Sequence, residues 1–236
     1  MTRLSSFAPG VHAVIIGASG GIGAALADHL AADPQVALVT RLSRATGFDL
    51  TDPASITAAA AALSTPPHLV IVATGLLHDP DFTPPITPER DLRQLSAGAF
   101  ARHFAVNATG PALVAQAFLP LFPPQHRAVF AALSARVGSI SDNRLGGWHA
   151  YRAAKAALNQ ILRTIAIETA RKNPCATILG LHPGTVDTGL SKPFQRNVKT
   201  LFTPEHAADQ LLAVIDAATP AQSGLLLDWA GTVIPY

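Results

Sequence analysis

Material for cross-linking and for charge is scarce in this chain. A lone cysteine, Cys175, stands among 236 residues. It excludes an internal disulfide framework and fits a reducing compartment, and a small buried residue is its expected use. Charged side chains make up 14% of the sequence, too few for a chain held open by repulsion. The net charge is +2 at pH 7, and the basic residues are scattered, with no tract suited to a nucleic-acid backbone. Nucleic acid is therefore not an expected partner. Residues 1–10 hold no apolar run of signal-peptide length, and no later run approaches the roughly 20 apolar residues that span a bilayer. These absences lead to the expectation of a cytoplasmic protein that does not engage a membrane.

Hydrophobic residues, by contrast, make up 49% of the chain, enough for a sizeable core, and no interior stretch reads as a linker. A single domain over residues 1–236 is expected. Its clearest local pattern is residues 11–30, VHAVIIGASGGIGAALADHL. An apolar run stops at a glycine-rich turn, residues 17–23, and gives way to an Ala/Leu segment with helical spacing. Glycine keeps a Cβ away from an approaching phosphate, and the helix that follows offers unpaired N–H groups to an anion. A dinucleotide pyrophosphate fits such a turn.

Further along, residues 35–40 (QVALVT) read as a second buried strand, followed directly by Arg41 and Arg44. No acidic residue occurs from Val36 to Phe48. In a dinucleotide fold a carboxylate here would hold the ribose 2′-hydroxyl, whereas Arg pairs with a 2′-phosphate, so NADP is expected over NAD, with NAD possible. Residues 54–63 have helix propensity behind Asp52-Pro53. Residues 68–73 (HLVIVA) form a third strand ending at Thr74-Gly75. His78, Asp79 and Asp81 lie in a loop and lack ligand spacing, so no metal is expected. A long helical pattern over residues 99–122 carries Asn107 and is interrupted by Gly110-Pro111. Residues 127–133 are a strand that runs into Ser134-Ala135-Arg136-Val137-Gly138-Ser139. A second long helix, residues 148–171, places Tyr151 and Lys155 one turn apart on one face. Residues 175–181 form a strand ending at His182-Pro183-Gly184-Thr185, and residues 187–203 a loop able to cover a substrate. A helix capped at Thr203 runs through residue 217, and residues 224–228 are a last strand. Alternating strands and helices imply an α/β fold: a Rossmann-type, doubly wound parallel sheet with helices on both faces.

Gly17-x-x-x-Gly21-x-Gly23, Asn107, Ser134, Tyr151-x-x-x-Lys155 and Pro183-Gly184 occur in the order and approximate spacing of the short-chain dehydrogenase/reductases. The chain resembles that family from end to end. The phrases SARVGSISDN, GGWHAYRAAKAALN and LHPGTVDTGLSKPF are similar to its C-factor-like and carbonyl-reductase branch. The resemblance implies an oxidoreductase that moves hydride between NADP(H) and a small carbonyl or secondary alcohol. In it Tyr151 is the general acid or base, and Lys155 lowers the phenol pKa and holds the nicotinamide ribose. Ser134 bonds the substrate oxygen, and Asn107 binds a water that links Lys155 to solvent. It assigns the cofactor to Gly17, Ser19, Gly20, Gly21, Ile22, Gly23, Arg41, Arg44, Asp49, Leu50, Ala73, Thr74, Gly75, Tyr151, Lys155, Pro183, Gly184 and Thr185, with Asp49 on the adenine.

Three departures stand out. Ala73-Thr74-Gly75 replaces the family's Asn-Ala-Gly. Ala135 holds the position three residues before Gly138 where the family often has its serine, which leaves Ser134 as the reading and Ser139 as the alternative. The loop after Pro183-Gly184 is short. The apolar content of the two long helices predicts a homodimer or homotetramer through them. Two other readings remain open: a cofactor-binding regulatory or signalling protein with little catalysis, and a lyase or epimerase using the same site.

Overall fold

In the computed structural model, which describes residues 4–198 and 200–236, seven strands form one sheet in the order β2-β1-β3-β4-β5-β6-β7. In chain order they are β1 (Val11–Ile16), β2 (Val36–Leu42), β3 (Leu69–Val72), β4 (Ala128–Leu133), β5 (Ala176–His182), β6 (Leu225–Asp228) and β7 (Val233–Ile234). All neighbours are parallel except β6 and β7. The parallel, doubly wound α/β sheet is as expected; the antiparallel β7, in a segment that read as a plain tail, is an addition.

Strand side chains alternate between two cores. Val11, Ala13 and Ile15 of β1 and Leu69 and Ile71 of β3 face one layer, where α1 (Gly21–Ala31) and α6 (Pro204–Ala217) supply Leu26, Leu30, Leu211 and Ile215. Val14, Ile16, Val70, Val72 and Phe130 face the other. There α2 (Pro53–Ala61), α4 (Gly110–Phe118) and α5 (His149–Lys172) supply Ile56, Phe118, Leu158 and Leu162. With both faces covered, the central strands read as continuous apolar runs, and each fully buried Leu, Ile or Phe contributes on the order of 2 kcal/mol. β2, at the free edge, is half-exposed. Cys175, expected to be buried, is partly exposed just before β5.

The helix ends decide where the site lies. Asp52 caps α2 by accepting from Ala54 N at 2.9 Å, with Pro53 in the first position. Thr203 caps α6 through His206 N at 3.2 Å. The helical pattern around Asn107 is not interrupted at Gly110-Pro111. Instead α3 (Ala97–Phe104) passes through a π turn (Ala105–Thr109) into α4, the Gly110 N–H bonding Ala105 O five residues back. Gly110 is required because a Cβ there would stand 2.6 Å from Leu50 Cγ. The continuous segment Ala97–Leu121 is, against expectation, long and apolar enough by composition to cross a membrane. Val114, Ala115 and Phe118 pack it onto the sheet. α5 has no local cap: its N-cap, Trp148, has φ 52° and offers no side-chain acceptor. Glu89, far back in the chain, takes that role. Its carbonyl accepts from Trp148 N at 2.6 Å and its carboxylate lies 3.3 and 3.4 Å from Ala150 N.

Candidate active site

Beyond the carboxyl ends of β1 and β3 opens a cavity of about 530 Å³, whose lining includes Gly17, Ser19, Gly20, Ala73, Thr74 and Gly75. Gly17 takes φ +88° to turn the chain out of β1. A Cβ on Gly23 would lie 2.2 Å from the Gly17 carbonyl oxygen, so this glycine lets α1 start hard against the turn. Gly20, the N-cap of α1, supplies no side-chain acceptor for the first-turn N–H groups, and no acidic side chain occupies that turn. Thr74 adds a buried hydroxyl with no partner among the described residues. An anionic ligand with hydroxyl groups answers all of these features: bare helix-end donors, glycines where a Cβ would intrude and an unsatisfied hydroxyl. Asp49, Leu50 and Arg44 line the same cavity. Asp49 accepts from Thr51 N and Thr51 Oγ1, both at 2.8 Å, and these bonds hold its carboxyl below the usual range.

Four other expectations change here. Arg41 does not follow β2 but lies inside it, and its guanidinium is on Asp28 at 2.8 Å. It does not line the cavity; Arg44 does, beside Ser43. Gly21, Ile22 and Gly23 are not among the lining residues: Gly21 lies against Thr188, Ile22 packs on the core and Gly23 lies against Gly17. Pro183, Gly184 and Thr185 also lie outside its lining: Gly184, at φ +79°, turns the chain against Phe202 and Trp229, and Thr185 O pairs with Phe202 N. Gly189 and Leu190 reach the cavity instead, and the Gly189 carbonyl meets His78 Nε2 at 3.2 Å across its mouth.

Behind Gly75 stand the buried polar side chains. A Cβ at Gly75 would be 3.7 Å from Asn107 Oδ1 and 4.0 Å from Lys155 Nζ. Lys155, 2% exposed, donates to Leu133 O at 2.7 Å, and its ammonium lies 5.8 Å from the Tyr151 ring centroid. The expected lowering of the phenol pKa by Lys155 is not what this environment produces. Removal from water penalises phenolate and ammonium alike, so burial pushes Tyr151 up and Lys155 down to about 7. Asn107 is fully buried, and its side-chain amide is already committed. Nδ2 donates to Leu76 O at 2.8 Å, Oδ1 accepts from Leu76 N at 3.0 Å, and Nδ2 also meets His103 Nδ1 at 3.2 Å. With both Nδ2 hydrogens and Oδ1 engaged within the chain, the side-chain amide is not the group that meets a water.

Ser134 does not face Tyr151. Residues 134 and 135 continue the extended chain of β4, so their side chains point opposite ways. Ala135 packs with Tyr151 and Leu77, while Ser134 Oγ donates to Asn159 Oδ1 at 2.6 Å. Ser139 is buried and accepts from Asp142 N at 3.1 Å. The wall around Tyr151 is therefore apolar and aromatic, completed by Val137, Trp148, Leu190 and Phe194. Glu89 and His103, 3% and 1% exposed, were invisible in the sequence. His103 meets the Tyr151 ring edge-on at 5.9 Å, and its four-residue offset from Asn107 was the available clue. His182 lies at the end of β5, where burial chiefly, with Arg136 adding, pushes its pKa down to about 4.

Known proteins are similar to this chain in sequence and in fold. The model of the family described as short chain dehydrogenase matches residues 44–199. The C-signal protein of Myxococcus xanthus is 38% identical over 136 residues, 58% of this chain and 78% of that protein. A 1-hydroxy-2-glutathionyl-2-methyl-3-butene dehydrogenase of Rhodococcus sp. (strain AD45) is 34% identical over 135 residues, 57% of this chain and 58% of that protein. The match thus spans little more than half of that second relative. Among solved structures, NADPH-bound carbonyl reductase from chicken fatty liver superposes with a TM-score of 0.79 at 24% identity, covering 97% of this chain and 100% of that one. The carbonyl reductase Sniffer of D. melanogaster gives 0.79 at 18% identity, with the same two coverages. A glycine turn opening onto the sheet's carboxyl edge, a buried Tyr-Lys pair behind it and a family match across most of the chain lead to one assignment: the chain belongs to the short-chain dehydrogenase family of oxidoreductases.

Proposed function

We propose that this protein is an NADP-dependent oxidoreductase acting on a carbonyl or secondary alcohol of small size. The observation that carries the reading is the Tyr151–Lys155 pair: one turn apart on α5 and both desolvated, with Lys155 Nζ close behind Gly75 of the cavity lining. The glycine turn and the α1 N-terminus would hold the pyrophosphate, Thr74 a ribose hydroxyl, and Arg44 with Ser43 the 2′-phosphate. The nicotinamide supplies or accepts the hydride. Tyr151 gives its phenolic proton to the carbonyl oxygen in reduction and takes it back in oxidation. Lys155, with a pKa near neutrality, would carry the compensating charge, and a water held at Asn107 would link it to solvent and replenish the proton. Leu190 and Phe194 must lift from Tyr151 for a substrate to enter.

The NADPH-bound neighbour supports the choice of cofactor. The same reading includes a homodimer or homotetramer through the outer faces of residues 97–121 and α5, supported by exposed Ile167 and by the groove of Leu113, Ala117 and Leu121. It also includes a cytoplasmic location. Light scattering at micromolar concentration tests the assembly.

A titration with NADPH and NADH, followed by nicotinamide fluorescence, tests the first step; preferential NADPH binding is expected. Tyr151→Phe should then lower carbonyl reduction about a thousandfold while NADPH affinity stays within about twofold. Turnover unaffected by this substitution would refute Tyr151 as the acid. One observation favours a second reading, a cofactor-binding signalling protein: Ala135 in place of a hydroxyl beside Tyr151, in a chain similar to C-signal. NADPH binding with no turnover across a broad carbonyl panel would favour it.

A further inference from the structure

Between Asp49 and the helical segment at residues 97–121 the cavity lining includes an apolar set, Leu50, Ala73 and Val106. Charged residues join this set: Asp49 lines the cavity, and so does Arg102, one helical turn before Val106. The two are neighbours: after the Thr51 hydrogen bonds, the charges of Arg102 and Arg44 also lower the Asp49 carboxyl. Both Thr51 bonds land on Asp49 Oδ1, and among the described residues Oδ2 has no hydrogen-bond donor on it. Arg102 is oriented from behind, its Nε donating to Asp79 Oδ2 at 3.1 Å with the side chain only 33% exposed. Its two terminal nitrogens carry no further hydrogen bond among the described residues.

A carboxylate oxygen with no donor on it beside a fork of N–H donors, next to apolar lining residues, is the complement of an amino group beside a ring nitrogen on a flat aromatic base. We propose that Arg102, held in orientation by Asp79, grips the adenine edge of the dinucleotide together with Asp49. This rests on the NADP(H) reading above. The two cations of the cavity then have separate roles. Arg44, beside Ser43 on the β2 side, takes the 2′-phosphate, and Arg102 takes the base. The base is common to NADPH and NADH, so Arg102 governs affinity for both and Arg44 governs the choice between them.

Nicotinamide fluorescence titrations with NADPH, NADH and the hypoxanthine analogue of NADPH separate these roles. Hypoxanthine replaces the amino group by a carbonyl oxygen and the adjacent ring acceptor by an N–H, reversing the edge. For the wild-type chain the analogue should bind about tenfold more weakly than NADPH. Arg102→Gln should weaken NADPH and NADH by the same factor, roughly fivefold to tenfold, and narrow the gap to the analogue. Asp79→Asn should do the same to a smaller extent. Arg44→Ala should weaken NADPH alone. If Arg102→Gln melts well below the wild type, Arg102→Lys, which keeps the charge but not the fork, carries the same test. A loss confined to NADPH would place Arg102 on the 2′-phosphate and overturn the proposal, as would a change of less than twofold for both cofactors. If neither cofactor binds the wild-type chain, the cofactor reading itself fails and the proposal with it.

Discussion

The two halves of the candidate site are built from different materials. The cradle at residues 17–23 is made of backbone: glycine conformation, helix-end N–H groups and the absence of side chains. The wall at the start of α5 is made of side chains: Tyr151 and Lys155 from α5, His103 from α3 and Glu89 from the segment before it, all nine-tenths or more buried. A backbone site tolerates no added atom, whereas a desolvated side-chain site accepts change in sequence but stores an electrostatic cost. The first is specified within a few residues. The second is specified by the whole fold.

The sharpest way to break the contrast is to add one carbon to the cradle. Gly23→Ala would place its Cβ 2.2 Å from the Gly17 carbonyl, and NADPH affinity should fall at least about a hundredfold in a fluorescence titration, with a lower melting temperature. Wild-type affinity in that variant would show that the turn adapts and is not a rigid cradle. On the wall, Ala135→Ser adds a hydroxyl facing Tyr151. Reduction of simple ketones should rise about tenfold in kcat, since a second donor would reach the substrate oxygen; an unchanged kcat would mean that oxygen sits elsewhere.

Lys155→Met should abolish turnover and yet raise the melting temperature by several degrees near pH 7. The sign follows from its lowered pKa. The unfolded chain binds a proton at Lys155 below 10.5, the folded chain only below about 7, so wild-type stability rises with pH across that window while the variant has no such slope. The advantage of the variant should vanish in alkaline buffer, and calorimetry at two pH values decides it. The smallest effect is expected at His182. Its folded pKa of about 4 lies below the ordinary 6.5, so stability present above pH 6.5 is lost as pH falls toward 4, by about 3 kcal/mol at most. His182→Gln should flatten the denaturation midpoint across that range.

What was legible in the sequence follows the same division. The alternation of strands and helices, the glycine turn, the Thr203 cap and the Tyr151–Lys155 spacing are local patterns and lie where the sequence placed them. Ser134 was misjudged because its place at the carboxyl end of β4 says nothing about which way an extended chain turns its side chains. Arg41 was misjudged because its partner, Asp28, comes from α1 rather than from its own strand. Glu89 could not be found at all: it caps α5 across 61 residues, and no short-range signal marks a residue whose role is set by a distant helix end.

The π turn at Ala105–Thr109 gives the helical segment two phases. Ahead of it and within it, Ala99, His103 and Asn107 are buried; beyond it, Gly110, Pro111, Val114, Ala115 and Phe118 are. The turn closes a hydrogen bond over five residues in place of four, and an α-helix turns by about 100° for each residue. Removing a residue there would leave an ordinary helix, but one that cannot present Asn107 to Leu76 and Phe118 to the sheet at once. Any comparison of this chain with others has to set its gaps on either side of that turn separately, treating the segment as two spliced helices that share one axis.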